Sequence, residues 1–250
     1  MEAGVLTTVR RLQWMVALLA LLWMATVTWL VMERNSTPAV LAVERLEIVE
    51  PDGKPALVLA NSQRPIAATL DGRQIMEGQE EERRGVPSII FFDGKGDEVG
   101  GMLFGLVEGE NGFQAVRHLS LDGYKQDQTV VLAHYENPEG SQSGLIVSDR
   151  PKMHMFDAYA ELGLEPGATR EQTRAAIMQL PEETRAARLR ELFGTNRAFL
   201  GSSYEDNAML VLRDGEGRRR IVIEAPKQGE ASISVLDENG ETVLRLPEKN

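Results

Sequence analysis

Cysteine is missing from all 250 residues, which excludes disulfides, thiolate metal sites and a cysteine nucleophile. Histidine is scarce: His118, His134 and His154 are the only three, and none has a second histidine at metal-ligand spacing. Phosphate loops are missing too. The glycines of Gly94–Gly101 fit neither Gly-x-Gly-x-x-Gly nor Gly-Lys-Ser/Thr, and that segment leads into a strand rather than a helix. No Gly-x-Ser-x-Gly nucleophile elbow occurs. Asp93–Glu98 and Asp237–Glu241 look superficially like calcium loops, but the sixth position, which needs glycine, would be Glu98 or Thr242. The chain is therefore expected to have no metal site, no cofactor and no sequence-encoded catalytic motif. Enzymatic activity stays open only through carboxylates that converge in the fold.

Positive charge is also in deficit. Outside residues 1–34 the chain carries 24 basic and 36 acidic side chains, a net charge of −12. A body that negative is repelled by nucleic acid and by anionic headgroups, so nucleic acid is excluded as a partner.

The chain does have one long apolar run. Leu12 to Met32 is charge-free, with Gln13, Thr26 and Thr28 as its polar breaks. At ~1.5 Å per residue it spans ~31 Å, the thickness of a hydrocarbon core. A cleavable signal has a shorter apolar region followed by small residues, whereas this run ends in Trp29, Leu30, Val31 and Met32. The expectation is an uncleaved transmembrane anchor. Arg10 and Arg11 abut its first end without a nearby acid, while Arg34 at the other end is preceded by Glu33. The positive-inside bias then makes 1–11 a cytoplasmic tail, 12–32 the anchor, 33–41 a linker and 42–250 an extracytoplasmic domain. An anchored domain of this size without cysteine suits the bacterial inner membrane, facing the periplasm or exterior.

Within that domain a turn signal recurs at Asp52-Gly53, Asp71-Gly72, Asp93-Gly94, Asp122-Gly123, Asp214-Gly215 and Asn239-Gly240. Such pairs build tight turns between antiparallel strands. The flanks alternate with period two, as in Leu46 and Ile48 before the first turn and Leu57 and Leu59 after it. The fold class expected is mainly β: an antiparallel hairpin meander, closed as a barrel, sandwich or small propeller to remove its edges. Residues 151–200 interrupt it. Thr169-Arg-Glu-Gln172 reads as a capping box opening a helix to about Leu180, Pro181 opens a second, and Gly194 stops it, giving a helical pair near 168–194. A weaker helical signal covers Met153–Leu162. Glu77–Gly85, dense in charge, and Glu136–Gly144, dense in turn formers, read as mobile loops.

Among polar residues, His118 alternates with Leu119 and Leu121, so the leucines are expected inside and His118 outside with Ser120. His154 precedes Asp157 by one helical turn, with no nucleophile nearby. Arg218, Arg219 and Arg220 beside a turn, and Tyr124 with the amides after it, are the candidate partner contacts.

The segments Val49–Lys54, Phe91–Gly101 and Tyr124–Gln128 resemble those of a group of uncharacterised bacterial proteins with a single N-terminal span. The resemblance implies a shared fold and an envelope location, and carries no activity and no site residues. The function expected is a membrane-anchored binding or scaffold protein whose partner is a protein or a second copy. The alternatives are a self-assembling structural protein and, below it, an envelope hydrolase.

Overall fold

The computed structural model describes residues 2–34, 40–109 and 112–248, and the chain divides into two units, Met1–Val43 and Glu44–Asn250. The first unit is helix α1, Glu2–Arg34, long and apolar enough to cross a membrane. It overruns the apolar run at both ends and takes in Arg10 and Arg11, so most of the expected tail is helical. Once nucleated, a helix gains a hydrogen bond with each residue added, whatever that residue's hydropathy. The two threonine breaks are satisfied within the helix. Thr26 Oγ1 donates to Leu22 O at 2.9 Å and Thr28 Oγ1 to Met24 O at 2.8 Å, which spares both hydroxyls an unpaired existence in hydrocarbon. Of the expected linker, residues 35–39 lie outside the described residues.

The second unit contains strands β1 (Arg45–Val49), β2 (Pro55–Ala60), β3 (Thr69–Leu70) and β4 (Arg73–Gln74), then the single helical turn α2 (Gln79–Glu82). Strands β5 (Ser88–Phe92), β6 (Glu98–Gly109), β7 (Gly112–Asp122), β8 (Gln128–Asn137) and β9 (Gly140–Asp149) follow. Helices α3 (Met155–Ala160), α4 (Arg170–Gln179) and α5 (Glu182–Phe193) precede β10 (Thr195–Ser202), β11 (Ala208–Arg213), β12 (Arg219–Ala225), β13 (Ser232–Leu236) and β14 (Thr242–Leu246). Twelve strands form one sheet in chain order, β1-β2-β5 through β14, each antiparallel to its neighbour, and β3 and β4 form a separate hairpin. The meander is as expected. Its closure into a barrel is not found among the described residues, because the ladder begins at β1 and ends at β14 with no pairing between them.

All six expected turns join paired strands, but they are not one device. At Asp93, Asp214 and Asp237 the carboxylate accepts from two backbone N–H groups of its own turn, as with Lys95 N at 2.8 Å and Asp97 N at 3.1 Å. The left-handed residue in each is the glycine three positions on, Gly96, Gly217 and Gly240, not the glycine next to the aspartate at 94 and 215. Asp122 has no such glycine and is left free for other use.

The helical insertion is confirmed. Thr169 and Gln172 form the reciprocal capping box of α4, with Gln172 N donating to Thr169 Oγ1 at 3.2 Å and Thr169 N to Gln172 Oε1 at 2.8 Å. Pro181 caps α5 rather than opening it, and Gly194 ends it. Thr169→Ala is expected to cost about 1 kcal/mol, read from the shift in thermal or urea unfolding of the full chain in detergent. The two segments expected to be mobile are structured. Residues 136–144 are a tight β8–β9 hairpin, and residues 77–85 contain α2 and an arginine held in the interior. Density of charge and turn formers reports local polarity, and here tertiary partners override it.

Which face of the sheet is covered also differs from expectation. His118 is only 7% exposed and Leu121 is 54% exposed. The ladder registers explain this. Leu46, Leu59, Ile89, Met102, Leu119, Leu132, Leu145, Leu200, Leu210, Ile223, Ile233 and Leu246 stand opposite one another in a single row across all twelve strands. Beside it runs a second row: Ile48, Leu57, Phe91, Gly100, Leu121, Val130, Val147, Ala198, Leu212, Ile221, Val235 and Leu244. Except for Gly100, none of these residues is buried. The buried positions lie on the opposite face, where Val58, Ala60, Ile90 and Phe92 form a core under Ile66 and Leu103 and where the small or polar Ser88, His118, Ser120, Ser232 and Ser234 are also buried. The apolar-inward rule assigned the faces the wrong way round because the most aliphatic face here is the uncovered one.

Candidate functional site

A second core lies where the helices meet the β3–β4 hairpin: Leu70, Met155 and Tyr159 are buried, with Ile75, Phe156, Leu164 and Phe193 packed against them. Tyr159 meets Phe193 edge to face with ring centroids 6.2 Å apart. Next to this cluster is a cavity of about 240 Å3. Its apolar wall is Leu70, Ile75, Met155, Tyr159 and Phe193, and its polar wall is Arg83, Glu98, Asp122, Gln126, Asp127, Gln128 and Arg150. It is a little smaller than the usual range for small-molecule sites, about 300–1,000 Å3.

The polar wall is built from residues distant in sequence. Arg83, just after α2, forks onto Glu98 at the start of β6, with Nη2 to Oε1 at 2.9 Å and Nη1 to Oε2 at 3.1 Å. Its Nη1 also donates to Ile66 O at 2.8 Å. The pair is nearly sealed, with side chains 13% and 9% exposed. Arg150 donates to Gln128 O and to Phe193 O, both at 2.8 Å, tying β8 to the end of α5, and reaches Asp127 at 3.5 Å. Between these pairs is Asp122, whose Oδ1 is buried without a hydrogen-bond partner. Burial pushes its carboxyl up to about 7, and the nearby Glu98 and Asp127 push the same way, against Arg83 and Arg150. Burial also raises the Tyr159 phenol, with Asp127 adding to it.

One corner of the site is pinned by an ion cluster. Lys125, in the left-handed conformation at the β7–β8 turn, binds Asp71 and the buried Asp97 together. Its ammonium is held charged by hydrogen bonds to Asp71 and then Asp97, and Lys125 in turn lowers the Asp71 carboxyl. Asp97 also accepts from Asp71 N at 2.7 Å, so the β3–β4 hairpin is fixed to the β5–β6 turn. His154 caps α3, accepting at Nδ1 from Phe156 N at 3.1 Å, with Nε2 2.9 Å from Asp71 Oδ2. Its role is to seat the helix, and Asp157 does not orient it.

Chemically, Asp122 can hold and release a proton near neutrality. Among the described residues, the carboxylates lining the cavity beside it are paired, Glu98 with Arg83 at 2.9 Å and Asp127 with Arg150 at 3.5 Å. Among the described residues, no group of three or more histidines, aspartates or glutamates is arranged to hold a metal ion.

The candidate contacts from the sequence fall elsewhere. Arg218 and Arg220 both bind Asp214, at 2.9 and 3.4 Å, and Arg220 Nε donates to Leu236 O at 2.9 Å, so the two cations stiffen the β11–β12 turn. Arg219 is exposed on β12. Tyr124 is 79% exposed on the β7–β8 turn, with the Lys125 ammonium 6.0 Å from its ring. No hydrogen bond or ion pair among the described residues joins Tyr124 to the arginines, so the four do not form one site. His118 donates to or accepts from Tyr135 Oη at 2.7 Å, and burial lowers its imidazole.

Sequence reasoning missed Arg83, Glu98, Asp122 and Arg150. For Asp122 a signal existed, since glycine stands three residues after Asp93, Asp214 and Asp237 but lysine stands three after Asp122. Comparison of the sequence with models of known protein families finds no match, and comparison with curated proteins finds none either.

Proposed function

We propose that this chain is a membrane-anchored, extracytoplasmic binding or scaffold protein that docks a protein partner on the aliphatic face of its sheet. The observation that carries the reading is the uncovered double row, unbroken from β1 to β14 and free of charge. Soluble monomers rarely leave apolar patches much beyond a few hundred Å2 open, and larger ones mark interaction sites. Helix α1 supplies the anchor, and the two flanking arginines orient it with the sheet outside the cytoplasm. The net charge of −12 outside residues 1–34 makes nucleic acid and anionic lipid unsuitable partners. The hydrolase alternative draws on Asp122 alone, so it ranks below.

A photo-crosslinking residue placed at Leu132 in intact cells is expected to form an adduct, while the same residue at Tyr124 forms none. Absence of any adduct at Leu132 rejects the docking reading. A reporter fused after Asn250 that is active only in the cytosol rejects the orientation.

A further inference from the structure

We infer that the occupant of the aliphatic face is a second copy of this chain, packed face to face. The inference rests on the docking reading above and names its partner.

Three observations carry it. The first is extent. Twelve strands at about 4.8 Å spacing make a band roughly 53 Å long, and two rows about 7 Å apart make it roughly 14 Å wide, on the order of 750 Å2. A stable interface takes about 800 Å2 from each partner. An occupant must be apolar and charge-free over that whole length, and an identical face meets the requirement.

The second is the distribution of polarity. Small and polar residues are buried on the face this chain covers for itself, while leucine, isoleucine and valine stand on the open one, with Leu132 and Leu200 each 56% exposed. In sheet-on-sheet packing the aliphatic faces meet at about 10 Å, which is the cover this chain does not itself supply.

The third is charge at the borders. Two residues beyond the second row come Glu50, Asp93, Asp149, Asp214 and Asp237, with Arg219 as the one cation there. The border beyond the first row carries Arg117 and His134, with the acids Glu44 and Glu248 at its two ends. Acids beyond both rows argue against an anionic bilayer as the cover.

The absence of cysteine makes the test clean. In the full-length chain in its membrane, Leu132→Cys and Leu145→Cys place a thiol on the sixth and seventh strands of the sheet, at mid-band. Tyr124→Cys serves as the exposed control. Expected are dimers with a bis-maleimide spanning about 10 Å at both mid-band positions and not at the control, and mid-band labelling by a soluble maleimide at least about tenfold slower than at Tyr124. Slow mid-band labelling without cross-linked dimer means another partner covers the face, which overturns the second copy and leaves the docking reading standing. Fast labelling at both mid-band positions overturns both. Leu132→Asp adds a readout that needs no reagent: sedimentation in detergent is expected to shift from dimer to monomer, and an unchanged dimer rejects this face as the contact.

Discussion

Replacing Arg83 with methionine is expected to destabilise the sheet unit by about 3–5 kcal/mol, because it strands the Glu98 carboxylate in a nearly sealed site. Three contacts are lost together: the two-point fork on Glu98 and the bond to Ile66 O that holds the segment before β3. Removing both partners is expected to cost far less than removing Arg83 alone. A well-packed apolar pair of similar size can replace a buried ion pair with little loss, so Arg83→Met with Glu98→Leu should recover much of the stability. Denaturant unfolding of the wild type, the two single variants and the double variant closes the cycle. A near-zero coupling would mean that the fork contributes nothing. Arg83 also restrains the Asp122 carboxyl from rising further, so the single variant should become more sensitive to alkaline pH than the wild type.

Asp122→Asn is expected to stabilise the protein increasingly as the pH rises. In the folded chain the carboxyl titrates at about 7, whereas its ordinary value is 3.8. Between those values the folded state holds a proton that the unfolded state has released, so stability falls as pH climbs toward 7 and stops falling above it. Linkage puts the loss between pH 5 and pH 8 at about 2–3 kcal/mol. Asparagine keeps the shape and never ionises, so its unfolding free energy should lack that slope. The readout is the difference between variant and wild type at the two pH values. A difference independent of pH would mean that Asp122 is ionised throughout. The wild-type profile has a second, opposing component. Burial lowers the His118 imidazole, so stability is also lost as pH falls through the ordinary histidine range, where the unfolded chain takes up the proton.

How much of this was legible in the sequence depends on the range of the interaction. Turn chemistry is local, and Asp93, Asp214 and Asp237 complete their bonds within four residues, so the hairpins could be read directly. The capping box at Thr169 is equally local. The candidate site is not local. Arg83 reaches Glu98 from a segment whose composition is that of a solvated loop, and Arg150 joins β8 to the end of α5 across an insertion of three helices. Neither pairing leaves a mark in spacing. The covered face is a third kind of case. Period two at His118, Leu119 and Leu121 says correctly that two faces exist. Which face receives cover depends on where residues 61–87 and the helices are laid down, and alternation contains nothing about that.

The order of the ladder has a consequence for how the molecule is made. Each strand bonds only to strands adjacent in the ladder, and the ladder follows the chain from β1 to β14. Loop-closure entropy is small when partners are near in sequence, and contact order governs the folding rate of small domains. A chain emerging from its N-terminus can therefore zip strand by strand, each new hairpin adding to a finished edge, with no need to wait for the last residues to secure the first.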